Sequence, residues 1–278
     1  MNLKKEALRF VDVWNKANAT TYGAAVAYYT VFSIAPLLLI AISVAGLIVD
    51  RAEVESSVIS QFQGVFGDGG AVFIQSLIRA QVPHDTNVVL ILVGLVATLL
   101  GATGVFSGLQ SGLDAIFATL PRKKISRSIW WMIFQKIYSL GMVLSLGFVL
   151  VVSLMASAFL KAFSQTINNA VPGGLIISTL VDFVFSFLLI SLFLGCLLKL
   201  LPSERIGWKP SLQGGFVAGA LFVVGKFALA LYLGSSSSLN AYGAASSVVL
   251  LILWTYYLSL AFFLSAIITR LYFVRSRR

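Results

Sequence analysis

Six stretches of the chain are apolar almost without interruption, and its polar residues are gathered between them. The stretches fall at about 24–49, 87–109, 136–162, 175–201, 212–233 and 244–272. A helix needs roughly 20 apolar residues to cross a bilayer. An apolar surface on every side, rather than a stripe at helical period, marks a helix with no water-facing side. The pattern predicts an all-α membrane protein, a six-transmembrane-helix bundle forming one integral domain over residues 1–278.

The segments between and before these runs differ in kind. Residues 2–17 alternate at helical spacing, with Leu3, Ala7, Phe10 and Trp14 on one face and Lys4, Lys5, Arg9 and Lys16 elsewhere. That predicts an N-terminal amphipathic helix, lying either in the membrane interface or against the bundle's own ends. Pro36 falls inside the first span and removes a backbone hydrogen bond, which predicts a kink or break near Ser33–Pro36. Residues 50–86 form the longest polar connection, and two short helices, 52–66 and 70–81, are expected to flank a turn at Gly67–Gly70. The second span is expected to extend as a helix toward Thr119.

Composition sharpens the class. The chain is 59% hydrophobic and 11% charged, whereas a soluble domain carries about 25% charged residues. The basic start is interrupted by Asp12, Trp14, Asn15 and Lys16, so it does not read as a cleavable signal peptide. The single Cys196 excludes an internal disulfide. Cys196 and the single His84 cannot build an ordinary zinc site, and no cofactor motif is present.

A net charge of +10 would suggest nucleic acid in a soluble protein, but here the basic residues mark the ends of the apolar runs. Four Lys and Arg near the N-terminus, five between spans two and three, three between spans four and five and four at the C-terminus share one side, sixteen in all. Arg51, Arg79 and Lys161 lie on the other. The positive-inside rule then places both termini in the cytoplasm.

The order of motifs resembles the YihY/BrkB family of bacterial inner-membrane proteins, formerly labelled ribonuclease BN. The resemblance is carried by Tyr22-Gly-Ala-Ala-Val-Ala-Tyr-Tyr-Thr-Val-Phe-Ser-Ile-Ala-Pro36 and Gly101-Ala-Thr-Gly-Val-Phe-Ser-Gly-Leu-Gln110. It continues through Leu201-Pro202, Trp208, Gly215 to Gly219, Lys226, Tyr232, Ala241-Tyr-Gly-Ala244 and Leu253-Trp254. It implies a six-helix bundle in the bacterial cytoplasmic membrane, in a family loosely linked to serum resistance and virulence and suggested to move lipids or solutes. Relatives commonly carry Gly-Ala-Glu near the end of the last span. Here Ser265-Ala266-Ile267 stands there, so a mechanism built on that carboxylate does not transfer.

Charges inside apolar runs are the first candidates for function, because a bilayer opposes them. Asp182 and Lys226 each lie about seven residues from the same side of their spans, about 10 Å deep. They are expected to face a common interior polar site, as a substrate site or as a structural ion pair. Asp114, with Gln110 one turn earlier, is a candidate for a cation or a polar headgroup, or for contact with Lys123 or Arg127. Tyr29, Ser33 and Pro36 are candidates for a broken helix lining a cavity. Gly104, Gly108 and Gly112, with Gly215 and Gly219, have the spacing that lets helices approach closely.

Three function classes follow. A nuclease would need clustered metal ligands, and one His with ten scattered carboxylates does not supply them; neither an enzyme nor a nucleic-acid partner is expected. A transporter or translocator of a small solute or amphiphilic substrate accounts for the intramembrane charges. A non-transporting envelope scaffold accounts for the bundle alone. Membrane lipids are the expected partners, and self-association as a homo-oligomer is left open. A reporter active only in the cytoplasm should be active when fused after Arg278 and inactive when inserted between Asn168 and Gly174; the reverse result would invert the topology.

Overall fold

The computed structural model describes residues 3–46, 50–80, 88–118, 174–204, 206–235 and 246–274. The expected third span and the basic segment before it lie outside these residues, as does His84.

The described chain is helical, without strands. Its helices are α1 (Leu3–Lys16), α2 (Ala19–Ala45), α3 (Arg51–Ala80), α4 (Val88–Phe117), α5 (Gly174–Leu200), α6 (Trp208–Ser235) and α7 (Ser246–Ile268). A π-helical turn, Thr269–Val274, continues α7. Three helices are long and apolar enough to cross a membrane among the described residues, through Phe183–Leu200, Trp208–Leu229 and Val248–Tyr272.

The short links are fixed by local hydrogen bonding. Between α1 and α2, Asn18 adopts φ 49°, the left-handed conformation that Asn tolerates beyond a helix end. Its carbonyl accepts from the N–H groups of Thr21 and Tyr22. Ala17 and Ala19 on either side are buried, so the link is packed into the bundle. Asp50 caps α3 by accepting from the Ala52 N–H at 2.8 Å. Pro210 sits in the first turn of α6, where a missing N–H leaves no helical bond unmade. The helix therefore starts at Trp208, four residues before the apolar run that announces it.

Two expectations are corrected. There is no turn at Gly67–Gly70: α3 is helical throughout, from Arg51 to Ala80. Val54 and Val58 from its first half and Ile74 and Ile78 from its second nevertheless share one buried cluster with Ile42 and Ala45 of α2. Packing of both halves outweighs the cost of roughly 1 kcal/mol per helical glycine. Likewise α2 passes through Pro36 without leaving the helix, so the first span is not broken there. Neighbouring helices and side chains commonly let a membrane helix carry proline.

Helix α2 packs against α4, α7 and α3. A glycine seam brings α4 close to it. A Cβ added at Gly101 would stand 2.9 Å from the Ser33 Cβ, one at Gly104 would enter the Tyr29 ring, and one at Gly108 would stand 3.0 Å from a Val26 methyl. Gly112 continues the stripe onto α7, where a Cβ would stand 2.5 Å from the Phe263 ring. A second seam joins α5 to α6, and here the obstacle is backbone. A Cβ at Gly215 would overlap the Ser191 carbonyl oxygen and stand 2.5 Å from the Gly195 nitrogen.

The main core lies at the end of the bundle that holds the α5–α6 connection. Phe106, Leu113, Ile116 and Phe117 of α4 meet Leu198, Leu201, Ile206, Phe262, Phe263 and Ile267 there. Phe10, Val13 and Trp14 of α1 pack against the same cluster. Ile267 is fully buried, so its position is an apolar core site in this chain.

The two seams predict unequal tolerance. Gly215→Ala should destabilise the protein by about 1–3 kcal/mol, because backbone cannot rotate away from an added methyl. Gly108→Ala should cost less than half as much, since only a valine methyl must shift. Thermal unfolding in detergent checks the order.

Candidate functional site

The sequence-predicted candidates fall in three places. Asp114, with Gln110, lies at the end of the bundle holding the α5–α6 connection. Tyr29 and Ser33 lie on the α2–α4 seam. Lys226 lies far along α6.

Asp114 is held by a residue remote in sequence. Its Oδ1 accepts from the Ser203 N–H and its Oδ2 from the Ser203 Oγ–H, each at 2.7 Å. Both carboxylate oxygens thus bind the connection between α5 and α6, a charge-assisted pair that ties α4 to the far hairpin. The other expected partners, Lys123 and Arg127, lie outside the described residues. Gln110 stands one turn earlier, half-buried.

Two cations close helix ends beside Asp114. The Lys199 ammonium donates to the Ile206 carbonyl and stands 5.8 Å from the Trp208 ring centroid. The Arg270 guanidinium donates to the Ile116 carbonyl in the last turn of α4. Cations favour helix C-termini, where carbonyls lack helical partners and the dipole is negative. On the outside, the Tyr272 hydroxyl donates to Glu6 of α1 at 2.8 Å. The cluster is a polar fastening of α1, α4, the α5–α6 connection and α7, built from groups that already satisfy one another.

Ser33 is buried against Gly101, and its hydroxyl donates to the Thr30 carbonyl at 3.2 Å. Tyr29 covers Gly104 and meets Tyr28 edge-on at 5.5 Å. Both line the seam between α2 and α4. The side chain of Pro36 lies outside the described residues.

Lys226 is exposed on α6 between Val224 and Phe227, which are also exposed. Among the described residues it has no hydrogen-bond or ion-pair partner. The side chain of Asp182 lies outside the described residues, although its backbone belongs to α5. Helical register places Asp182 nine residues from Ser191, half a turn around α5, whereas Ser191 faces Gly219 of α6.

Ser203, Arg270 and Lys199 were not singled out from sequence, and Trp208 entered only as part of the resemblance. Lys199 and Arg270 carried a signal, since each is a cation in the last turns of a long helix. Ser203 carried none, as it is one serine in a polar connection 89 residues from its partner. Among the described residues no group of three metal-ligating side chains comes together.

A helical chain with apolar membrane-length helices, joined at glycine seams and fastened by polar groups at one end, is an integral membrane protein. The family described as Virulence factor BrkB matches residues 10–277, and the chain belongs to it. A UPF0761 membrane protein of Aliivibrio salmonicida is 28% identical over 83% of this chain and 71% of its own length. One from Haemophilus influenzae is 23% identical over 91% of this chain and 90% of its own. The UPF0761 membrane protein YihY of Salmonella typhimurium is 30% identical, over 58% of this chain and 54% of its own length. No solved structure matches the chain.

Asp114→Ala should free both groups of Ser203, whereas Ser203→Ala removes only the hydroxyl bond. Amide hydrogen exchange at Ser203 should speed up about fivefold in the Asp114 variant, the equivalent of roughly 1 kcal/mol, and change little at residue 203 of the Ser203 variant.

Proposed function

We propose that this protein is a translocator in the bacterial cytoplasmic membrane, moving a small solute or an amphiphilic substrate, with six spans and both termini in the cytoplasm. The reading makes it neither a ribonuclease nor another enzyme. Its partners are membrane lipids and the substrate.

The observation that carries the proposal is Lys226. A charge within an apolar membrane helix is unfavourable by about 2.5–3.5 kcal/mol at mid-span, and no described residue offsets it by pairing. A scaffold needs no such residue. A translocator does, because an anionic group passing along α6 would meet it. The sixteen-to-three distribution of basic residues supports the orientation. The docked α1, with Leu8 and Val11 exposed beside its basic residues, supports a place for that helix at the membrane interface.

Hydration of the α6 face tests the reading. In a Cys196→Ser background, single cysteines at Val223 and Lys226 should be challenged with a membrane-impermeant maleimide. Labelling requires a water-accessible thiolate. The cysteine at 226 should label, and substrate passage predicts labelling at 223 as well. If no position along α5 or α6 labels from either side, the translocator reading fails and a scaffold remains.

A further inference from the structure

We infer that α3 is a gate over the end of the bundle opposite the α5–α6 connection, and that Phe62 is the side chain that seals it. A gate presupposes that the protein is a translocator, whereas the seal itself rests on packing.

The course of the helices sets this end. α2 begins at the main core, where Ala19 is buried, and reaches Ile42 and Ala45 in a second buried cluster. α6 begins beside the connection and reaches Leu229, about 32 Å along the helix from Trp208. α7 starts near Leu250 and returns to Ile267 in the main core. Leu229, Leu250, Leu251 and Trp254 form a third buried cluster, on which Val31 and Ile34 of α2 pack. On the proposed orientation this end is extracytoplasmic.

α3 covers it with one face. Val54, Val58 and Phe62 recur every four residues, so they lie on one side of the helix. Val54 and Val58 are buried against α2, whereas Glu53, Ser56, Ser60 and Gln63 are exposed. The Arg51 guanidinium donates to Glu55, and the Ser56 and Ser60 hydroxyls donate to the carbonyls of Glu53 and Ser57. Those bonds stay within α3 and support the helix rather than its place on the bundle. The apolar side seats it, and α3 packs on α6 and α7 as well as on α2.

Phe62 is the point where the clusters join. Among the described residues it alone packs against both the α2–α3 cluster and the α6–α7 cluster. Its ring therefore stands where α2, α3, α6 and α7 meet. The residues around this meeting point are apolar, with Trp254 between the rings of Phe222 and Tyr257 at 5.7 and 5.9 Å. The Tyr257 hydroxyl already donates to the Leu221 carbonyl. Such a layer gives water few partners, and apolar constrictions close a path by dewetting. α7 packs along both α2 and α6, whereas α3 turns a charged and hydroxylated side to water. The element able to lift away without dividing these helices is α3.

Access to Ile34, half-buried at the same cluster, tests the seal. In a Cys196→Ser background, Ile34→Cys in spheroplasts is given a membrane-impermeant maleimide, which reaches only the extracytoplasmic side. With Phe62 present this cysteine should label slowly. Phe62→Ala should speed labelling at least about tenfold, because labelling follows a water-accessible thiolate. Phe62→Leu keeps apolar bulk and should stay within about twofold of the native ring. Leu229→Ala removes bulk from the same cluster without touching α3 and should speed labelling less than Phe62→Ala does. Unchanged labelling in Phe62→Ala overturns the assignment. Fast labelling with Phe62 in place also overturns it, because that end would already be open. Equal acceleration by Leu229→Ala does so too, since a loosened cluster and not α3 would then admit the reagent. If Phe62→Ala does not assemble, Phe62→Val takes its place under the same criteria. Labelling of Val223→Cys and Lys226→Cys is read separately. Its failure beside a Phe62-controlled Ile34 would leave a cover over a scaffold, and the reverse would leave a translocator closed elsewhere.

Discussion

The close approach of helix backbones at glycine seams is the constraint on which this bundle depends. In a bilayer the lipid tails are as apolar as the side chains they would replace, so apolar burial does little to draw helices together. What remains is packing at short range, and that requires small residues where backbones meet. The seam of Gly101, Gly104 and Gly108 fixes α4 on α2, and Gly112 extends it to Phe263 of α7. The seam of Ser191, Gly195, Gly215 and Gly219 fixes α5 on α6. Each leaves no room for a Cβ at its tightest points, so each sets both the distance and the register of a helix pair.

Polar groups then choose which ends are held. At the end bearing the α5–α6 connection, Asp114, Lys199 and Arg270 all bind backbone or hydroxyl groups that a helix end or a loop leaves open. The charges lie where they complete hydrogen bonding of elements that apolar packing has already brought together. The opposite part of α5 and α6 has no comparable fastening among the described residues. Lys226 lies in that part of α6 and is exposed there.

The family relation fixes what kind of protein this is and leaves its chemistry to its own residues. Ile267 illustrates the point. Where the resemblance implied a carboxylate, this chain places a fully buried apolar side chain in its main core. Arg270, one turn on, is bonded to the Ile116 carbonyl. Lys226, by contrast, belongs to the motif that relates the chain to its family, and it retains its exposure in an apolar helix.

The sequence by itself determined the helical class and the three apolar helices of membrane length found among the described residues. These depend on apolar length and helical period, which are local properties. It also marked the seam glycines, because spacing of small residues along one face is local too. Only tertiary structure decided that α3 stays helical through its glycines and that α2 continues through Pro36, since packing of both flanks outweighs what glycine or proline costs in isolation. Only tertiary structure joined Asp114 to Ser203. Hydrogen-bond partners so far apart in sequence leave no periodic trace, and any of several serines would have read the same.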